Sequence, residues 1–325
     1  MKHLRGLLAA VLLLCLSGCS LSQGTMQTQK PYVAVIAKST NSSFWKSVQA
    51  GANAAASEYN LEFTFDGPFS EEDYNAQNSM IADAVAQGAR AIVLSAIDYA
   101  GSAEAVDAAA AAGVSVVVID SDVDSDRVAA RIGTDNYAAG MAAAQALLDT
   151  QLETLTIGVV NFDEHTRNGQ EREQGFCDGI AADPRAEIVE ILHIDSDSNL
   201  AIASTRDLLF RRPEINAIAT FNEITTLGVG HAIEASGLRD AVYVVGFDSN
   251  IVSVGMLETG EIDALVVQNP FAMGYLGVET AASLIAGRTP ADPQITTEAR
   301  VIDRAAMYTE ENQKLLFSFT ENLPG

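Results

Sequence analysis

The sequence is poor in cationic residues, and in lysine above all. Its 325 residues include 19 Lys and Arg against 43 Asp and Glu, a formal net charge of −24. A surface this acidic repels nucleic acid and anionic membranes alike, so we predict no nucleic-acid partner. No lysine lies between Lys46 and Lys314. Lys38, which follows the first predicted strand, is therefore an informative residue.

Cysteine is also scarce, with Cys15 and Cys19 near the N-terminus and Cys177 on a predicted helix. No disulfide framework can be built from them, and we expect Cys177 to be a small buried hydrophobe. The chain has no nucleophile elbow and no complete glycine-rich phosphate loop. His165, His193 and His231 lack the spacing of metal ligands. We therefore predict no metal, no cofactor and no enzymatic activity.

A long apolar run is missing at the N-terminus, where a basic start is followed by Gly6 to Leu16, a stretch too short to span a bilayer. The next residues, Leu16-Ser17-Gly18-Cys19, resemble the bacterial lipobox. This resemblance implies a signal peptide over 1–18, lipid on Cys19 and a lipidated tether over 19–31, with an ordinary secretory signal as the alternative. Loss of Lys2 and Arg5 with the signal leaves 17 basic against 43 acidic residues, a net charge of −26.

Apolar runs rich in β-branched residues recur at a spacing of ~30 residues, with helix-period segments between them, which is typical of βαβ units and a parallel sheet. The first set is Tyr32 to Ala37, Leu61 to Phe65, Ala91 to Leu94 and Ser115 to Ile119. The second set is Thr154 to Val160, Ile188 to Ile194, Ala217 to Ala219, Val242 to Gly246 and Ala264 to Val267. Because the pattern restarts, we predict two doubly wound lobes with a cleft between them.

Polar and aromatic side chains follow several of these strands. In an open α/β sheet such loops border the ligand crevice. Taken singly, each residue has a plain structural explanation: Asp120, Asp135 and Asn222 as caps, Arg172 as half of a surface ion pair, and Phe44 with Trp45 as core packing. Taken together, polar groups around one crevice require a polar ligand.

The residue types match a sugar. Hydroxyl groups both donate and accept hydrogen bonds, which suits Asp, Asn, Arg and Gln, and the C–H faces of the ring suit aromatic plates. We expect Phe44, Trp45 and Phe247 to supply such plates.

The stretch IDSDVDSD from Ile119 to Asp126 suggests a calcium loop at first sight. Counted from Asp120, however, the position that requires glycine holds Ser125, and the position of the bidentate glutamate holds Arg131. A turn with solvated carboxylates explains the stretch better.

Several segments resemble one family, the type I periplasmic binding proteins of the ribose-binding-like class, which are substrate-binding components of bacterial sugar ABC transporters. They are KSTNSSFWKSVQAGA, VVVIDSD, EREQGF, ATFNEITTLGVGHAI, VVGFD and LVVQNPFAMGYLGVETA, over about Tyr32 to Phe317. The chain departs from the ribose binders in having Ser121 where an arginine follows the aspartate, and Ser42 in place of an asparagine. Lys38 instead resembles a lysine of autoinducer-binding relatives.

The resemblance implies a ligand site, and the residues that we expect to form it are Lys38, Ser42, Phe44, Trp45, Asp120, Ser121, Arg172, Asn222, Phe247, Asp248 and Gln268. It also implies two Rossmann-like doubly wound lobes joined by a three-strand hinge. Lobe one would be 32–134 and 269–297, lobe two 135–268 and 298–317, and 318–325 a C-terminal tail.

The expected function follows from the same resemblance. We predict a monomeric, extracytoplasmic lipoprotein, anchored to the bacterial cell membrane, that binds a monosaccharide and delivers it to an ABC transporter permease. The alternative is a sensory binding protein that presents a sugar or furanosyl signal to a membrane receptor.

Overall fold

The computed structural model describes residues 30–317, which form twelve strands and ten helices. The first half comprises β1 (Tyr32–Ile36), α1 (Ser43–Glu58), β2 (Glu62–Asp66), α2 (Tyr74–Ala86), β3 (Ala91–Leu94), α3 (Ala103–Ala111), β4 (Ser115–Ile119), β5 (Ala130–Gly133) and α4 (Asn136–Leu148). The second half comprises β6 (Leu155–Phe162), α5 (Arg167–Ile180), β7 (Ala186–Ile194), α6 (Ser198–Arg211), β8 (Ala217–Thr220), α7 (Glu223–Ser236), β9 (Tyr243–Phe247), α8 (Ile251–Thr259), β10 (Ala264–Val267) and α9 (Pro270–Ile285). The remaining elements are β11 (Gln294–Thr296), β12 (Arg300–Asp303) and α10 (Glu310–Leu316).

The strands form two sheets of six. Their orders are β11-β5-β4-β3-β1-β2 in lobe one and β12-β10-β9-β8-β6-β7 in lobe two. All pairs are parallel except that of β12 with β10. Position by position, the two sheets have the same strand order, and they differ in the direction of one edge strand, because β11 is parallel and β12 antiparallel to its neighbour. The predicted fold class, two doubly wound α/β lobes, is confirmed.

The central strands are almost entirely apolar because helices cover both faces of each sheet. β3, β8 and β10 are buried along their whole length. In lobe one, separate apolar clusters form around Val35 and Ile36, successive residues that point to opposite faces of the sheet. The sequence pattern does not predict β5, β11 and β12, since each is short and includes polar residues. β11 and β12 are edge strands, and β5 lies next to β11.

The chain passes between the sheets three times, after β5, after β10 and between β11 and β12. The helix after each of the first two crossings packs in the lobe that the chain has just entered, α4 against α5 and α9 against α1. Both helix pairs touch backbone to backbone at glycines. A Cβ on Gly140 would lie 2.0 Å from the carbonyl oxygen of Arg172, and one on Gly51 would lie 2.0 Å from that of Phe271.

The predicted bounds of the two lobes stay a prediction. The signal peptide, the lipidated Cys19, most of the tether and the C-terminal tail lie outside the described residues. Within residues 30–317, no helix is both long and apolar enough to cross a membrane.

Candidate functional site

A cavity lies between the two lobes, at the carboxyl ends of the parallel strands. Of the eleven predicted site residues, the nine that line it are Lys38, Ser42, Phe44, Trp45, Asp120, Arg172, Asn222, Asp248 and Gln268. Five further residues, which are not among the predicted site residues, also line it: Glu71, Phe162, Asn168, Glu223 and Ile224. The structure therefore brings nine of the predicted residues together around one cavity, and their role in ligand binding stays a prediction.

Lys38 follows β1 and is only 2% exposed, so its charge requires partners. Its Nζ donates to Asn168 Oδ1 at 3.2 Å, lies 3.9 Å from Asp120 Oδ2 and stands 5.1 Å above the ring of Phe162. Asn168, from the first turn of α5, also donates through Nδ2 to both oxygens of Asp120 at 3.0 and 3.1 Å. This amide joins a lysine and an aspartate of lobe one to lobe two.

Arg172 on α5 is buried, so the alternative explanation, that it is half of a surface ion pair, is wrong. Its guanidinium donates to Asn136 Oδ1 at 2.9 Å, to the carbonyl of Phe221 at 2.8 Å and to Gln268 Oε1 at 2.8 Å. Asp120 Oδ1 lies 3.7 Å from Nη2. The planar group is thus held in one orientation, with its charge directed at the cavity.

Gln268 follows β10 and connects this arginine to Asp248. Its Oε1 also accepts from Thr134 Oγ1 at 2.8 Å, and its Nε2 donates to Asp248 Oδ1 at 2.6 Å. Burial raises the pKa of Asp248 to about 7, although the charge of Arg172 opposes the shift. The carboxylate is therefore poorly compensated where it faces the cavity, and it is well suited to accept hydrogen bonds from a ligand.

The aromatic wall comes mainly from lobe one. Phe44 and Trp45 pack edge to face, with ring centroids 5.0 Å apart, and both also belong to the core of that lobe. Both residues therefore pack in the core, as the alternative explanation states, and they also line the cavity. From lobe two the wall receives Phe162. Phe247 does not line the cavity: it is fully buried, against Phe221 and beneath the guanidinium of Arg172.

The N-terminal end of α7 meets the N-terminal end of α1 across the cleft. Asn222 caps α7, which is the structural explanation given for it above. Its Nδ2 donates to Ser196 Oγ at 2.9 Å. Glu223 is 5% exposed, and its two oxygens accept from the backbone N–H groups of Ser43, at 3.1 Å, and of Phe44, at 2.9 Å. A carboxylate of lobe two thus satisfies the free donors, and complements the positive end of the dipole, of a helix in lobe one.

Ser121 lies behind the wall, fully buried, and its hydroxyl has no hydrogen-bond partner within the described residues. The acidic stretch beside it includes Asp122, which pairs with Arg131 at 2.8 Å. No group of three or more His, Cys, Asp and Glu side chains within residues 30–317 is arranged to hold a metal ion. Cys177 is partly buried, and burial raises the pKa of its thiol to about 11, so it is weakly reactive.

Comparison with known proteins identifies the family. The model of the periplasmic binding protein domain matches residues 33–289, which include every residue of the cavity wall. The chain belongs to the periplasmic binding protein family. As predicted, this is a family of substrate-binding proteins rather than enzymes.

This binding protein is similar to a D-ribose/D-allose-binding protein of Pseudomonas aeruginosa, with 29% identity over 88% of the chain and 92% of the relative. Among solved structures, it resembles a carbohydrate transporter solute-binding protein of Agrobacterium radiobacter in complex with D-arabinose, with a TM-score of 0.86, 30% identity and coverage of 89% and 99% of the two chains. An ABC transporter solute-binding protein of Agrobacterium vitis with bound D-fucose gives a TM-score of 0.85, 31% identity and coverage of 88% and 99%.

Proposed function

We propose that this protein is the sugar-binding lipoprotein of a bacterial ABC transporter, which binds a monosaccharide between its lobes and delivers it to a membrane permease. The observation that carries the proposal is the cavity wall, where carboxylates, a guanidinium, a lysine and amides from both lobes converge beside three aromatic rings. A ring that carries hydroxyl groups on its edge and C–H groups on its faces complements this combination.

The ligands of the related proteins support a small ligand. The four sugars named for the related proteins, D-ribose, D-allose, D-arabinose and D-fucose, are all monosaccharides.

Binding and hinge closure are coupled in this proposal. A sugar gains its full set of contacts only when both lobes surround it, and this difference in contact energy shifts the population from open to closed. The permease then recognises the closed form. Asp120 and Lys38 act from lobe one, and Arg172, Asn222 and Asp248 act from lobe two, with Gln268 at the hinge. Ser42 lines the cavity where it caps α1.

The proposal includes lipid on Cys19, which holds the monomeric protein at the outer side of the membrane. Two or more acyl chains give stable anchoring where a single chain is marginal. The sensory alternative stays a prediction, since no contact in the described residues favours it over transport.

A thermal-shift screen followed by calorimetry tests the proposal. The panel consists of D-ribose, D-allose, D-arabinose and D-fucose, with sucrose as a disaccharide control. A ligand that binds only the folded protein raises its melting temperature, by an amount that grows with the ratio of ligand concentration to Kd. We expect a shift with at least one monosaccharide and none with sucrose. If no monosaccharide shifts the melting temperature and none gives a binding isotherm, sugar binding is refuted.

A further inference from the structure

Glu71 lines the cavity but has no assigned role. It lies in the loop between β2 and α2, at the carboxyl end of the second strand of lobe one. Its Oε1 accepts hydrogen bonds from Trp45 Nε1 at 2.7 Å and from Ser39 Oγ at 3.3 Å. Its Oε2 receives no hydrogen bond from any residue between 30 and 317. One half of the carboxylate is therefore anchored, and the other half is free.

The charge of Glu71 is only partly compensated. No cationic group among the described residues lies within 4.0 Å of it, in contrast to Asp120, which has both Lys38 and Arg172 within that distance. Burial raises the pKa of Glu71, and the charge of Lys38 only partly opposes this effect. A carboxylate oxygen in this position is stabilised by a donor, and a hydroxyl group of a bound ligand supplies one.

We propose that Glu71 is a specificity-determining ligand residue, whose Oε2 accepts a hydrogen bond from one hydroxyl group of the bound sugar. This inference rests on the proposed function, because it presumes that a sugar occupies the cavity. Since Oε1 is fixed by Trp45 and Ser39, Oε2 is directed at one ring position and not at several. A site that pairs such an acceptor with one sugar hydroxyl group discriminates strongly against a sugar that lacks this hydroxyl group.

The alternative is that Glu71 acts only through Trp45, by holding the indole in place. The two roles differ in what they predict. An anchor for the indole affects all ligands that stack on it equally. A hydroxyl acceptor affects only those ligands that carry the hydroxyl group. A thermodynamic cycle between residue and ligand hydroxyl separates them, because its coupling term is nonzero only for groups that interact.

The experiment measures Kd by calorimetry for the tightest-binding sugar of the panel and for each of its monodeoxy analogues. It uses the wild type, Glu71→Ala, Glu71→Gln and the control Glu62→Ala, which removes an exposed carboxylate from β2 of the same lobe. We expect the wild type to bind one deoxy analogue about 10- to 100-fold more weakly than the parent sugar. With Glu71→Ala, that analogue and the parent should bind equally within about twofold, while discrimination at the other positions remains. Glu62→Ala should match the wild type.

Glu71→Gln keeps an oxygen that can accept from Trp45 and provides the same comparison if the alanine variant does not fold. Its discrimination at the single position should be weaker than that of the wild type, because an NH₂ donor replaces the charged acceptor that faces the hydroxyl group. A variant that weakens all ligands by one common factor would overturn the assignment in favour of the anchoring role. Unchanged discrimination in both variants would also overturn it. If the wild type bound no sugar of the panel, the proposed function would fail, and this assignment with it.

Discussion

Asp120 and Asp248 occupy the same place in the two lobes. Each is the first residue after the third strand of its sheet, and each backbone N–H donates to the neighbouring strand, to Ile132 at 3.0 Å and to Val266 at 2.9 Å. Both have positive φ angles, 58° and 67°. Asp tolerates this left-handed region better than most residues, although at some cost. These two residues with positive φ angles place their carboxylates at the cavity, one from each lobe.

Replacing Asp248 by Gly or Ala separates its backbone role from its side-chain role. Gly adopts positive φ freely, whereas Ala does so at a cost of roughly 1–2 kcal/mol. We therefore expect the glycine variant to exceed the alanine variant in unfolding free energy by about 1 kcal/mol, as measured by urea denaturation. Calorimetry should show that both lose sugar affinity, by about 2–4 kcal/mol. Equal stability of the two variants would contradict the role assigned to the backbone strain.

Sugar affinity should depend on pH through Asp248. Its pKa is raised to about 7 in the folded protein, above the ordinary value of about 3.9, so its contribution to stability is present at low pH and is lost as pH rises through about 7. Hydroxyl donors from a sugar favour the charged form and lower this pKa. Binding should therefore release a proton, and Kd should increase by up to roughly tenfold per pH unit below pH 7.

Calorimetry in buffers of different ionisation enthalpy measures this proton release directly. Asp248→Asn, which cannot titrate at this position, should bind more weakly and with a smaller pH dependence, since the pKa of Glu71 in the same wall is also raised. A wild-type Kd that is constant from pH 5 to pH 8 would contradict the prediction.

Glu223 should favour the closed arrangement of the lobes even without ligand, because its carboxylate binds two backbone N–H groups of the other lobe. In Glu223→Gln the charge is lost and one of these N–H groups faces an amide NH₂. Small-angle scattering should then give a larger radius of gyration for the ligand-free variant than for the ligand-free wild type, and equal values at saturating sugar. Dissociation of the sugar should become faster. The control is Glu234→Gln, an exposed position on the same helix. Equal radii for wild type and variant without ligand would refute the closing role.

Trp45 should report on binding and support the core at the same time. It is 2% exposed, lines the cavity and is the only tryptophan of the chain, so its emission should change when a sugar binds. Trp45→Ala should cost about 3–5 kcal/mol of unfolding free energy, as large core truncations do, and should also weaken binding. Trp45→Phe should recover most of the stability. Emission that is constant through a titration in which calorimetry shows saturation would contradict the contact with the ligand.

Cys19→Ala tests the lipid anchor, which the proposed function places on a residue outside the described part of the chain. The variant should lose labelling by a fatty-acid probe, change the processing of its precursor and leave the membrane fraction. Ser17→Ala, which leaves the acceptor cysteine in place, serves as the control. A labelled, membrane-bound Cys19→Ala protein would exclude this cysteine as the site of lipidation.

The sequence predicted the crevice because carboxyl ends of parallel strands meet at one edge of a sheet, and this places Lys38, Asp120 and Asp248 together. Glu71 and Glu223 are not among the predicted site residues, since their hydrogen-bond partners lie on other elements, 26 or more positions away along the chain. The sequence misplaced Phe247, which is the last residue of β9 and is fully buried against Phe221, whereas Asp248 follows the strand with a positive φ and lines the cavity. Ser121, which follows Asp120, is also fully buried and does not line the cavity.

The crossings of the chain have a consequence for how the lobes are built. β5 belongs to one sheet while the helix that follows it packs in the other lobe, and β10 with α9 does the same in the opposite direction. Each half of the chain therefore contributes one helix to the lobe formed mainly by the other half. This is the topology of a domain-swapped dimer joined into one polypeptide. The glycine contacts at Gly51 and Gly140 fix the exchanged helices to their hosts. No single cut of the chain can release either lobe with all of its helices.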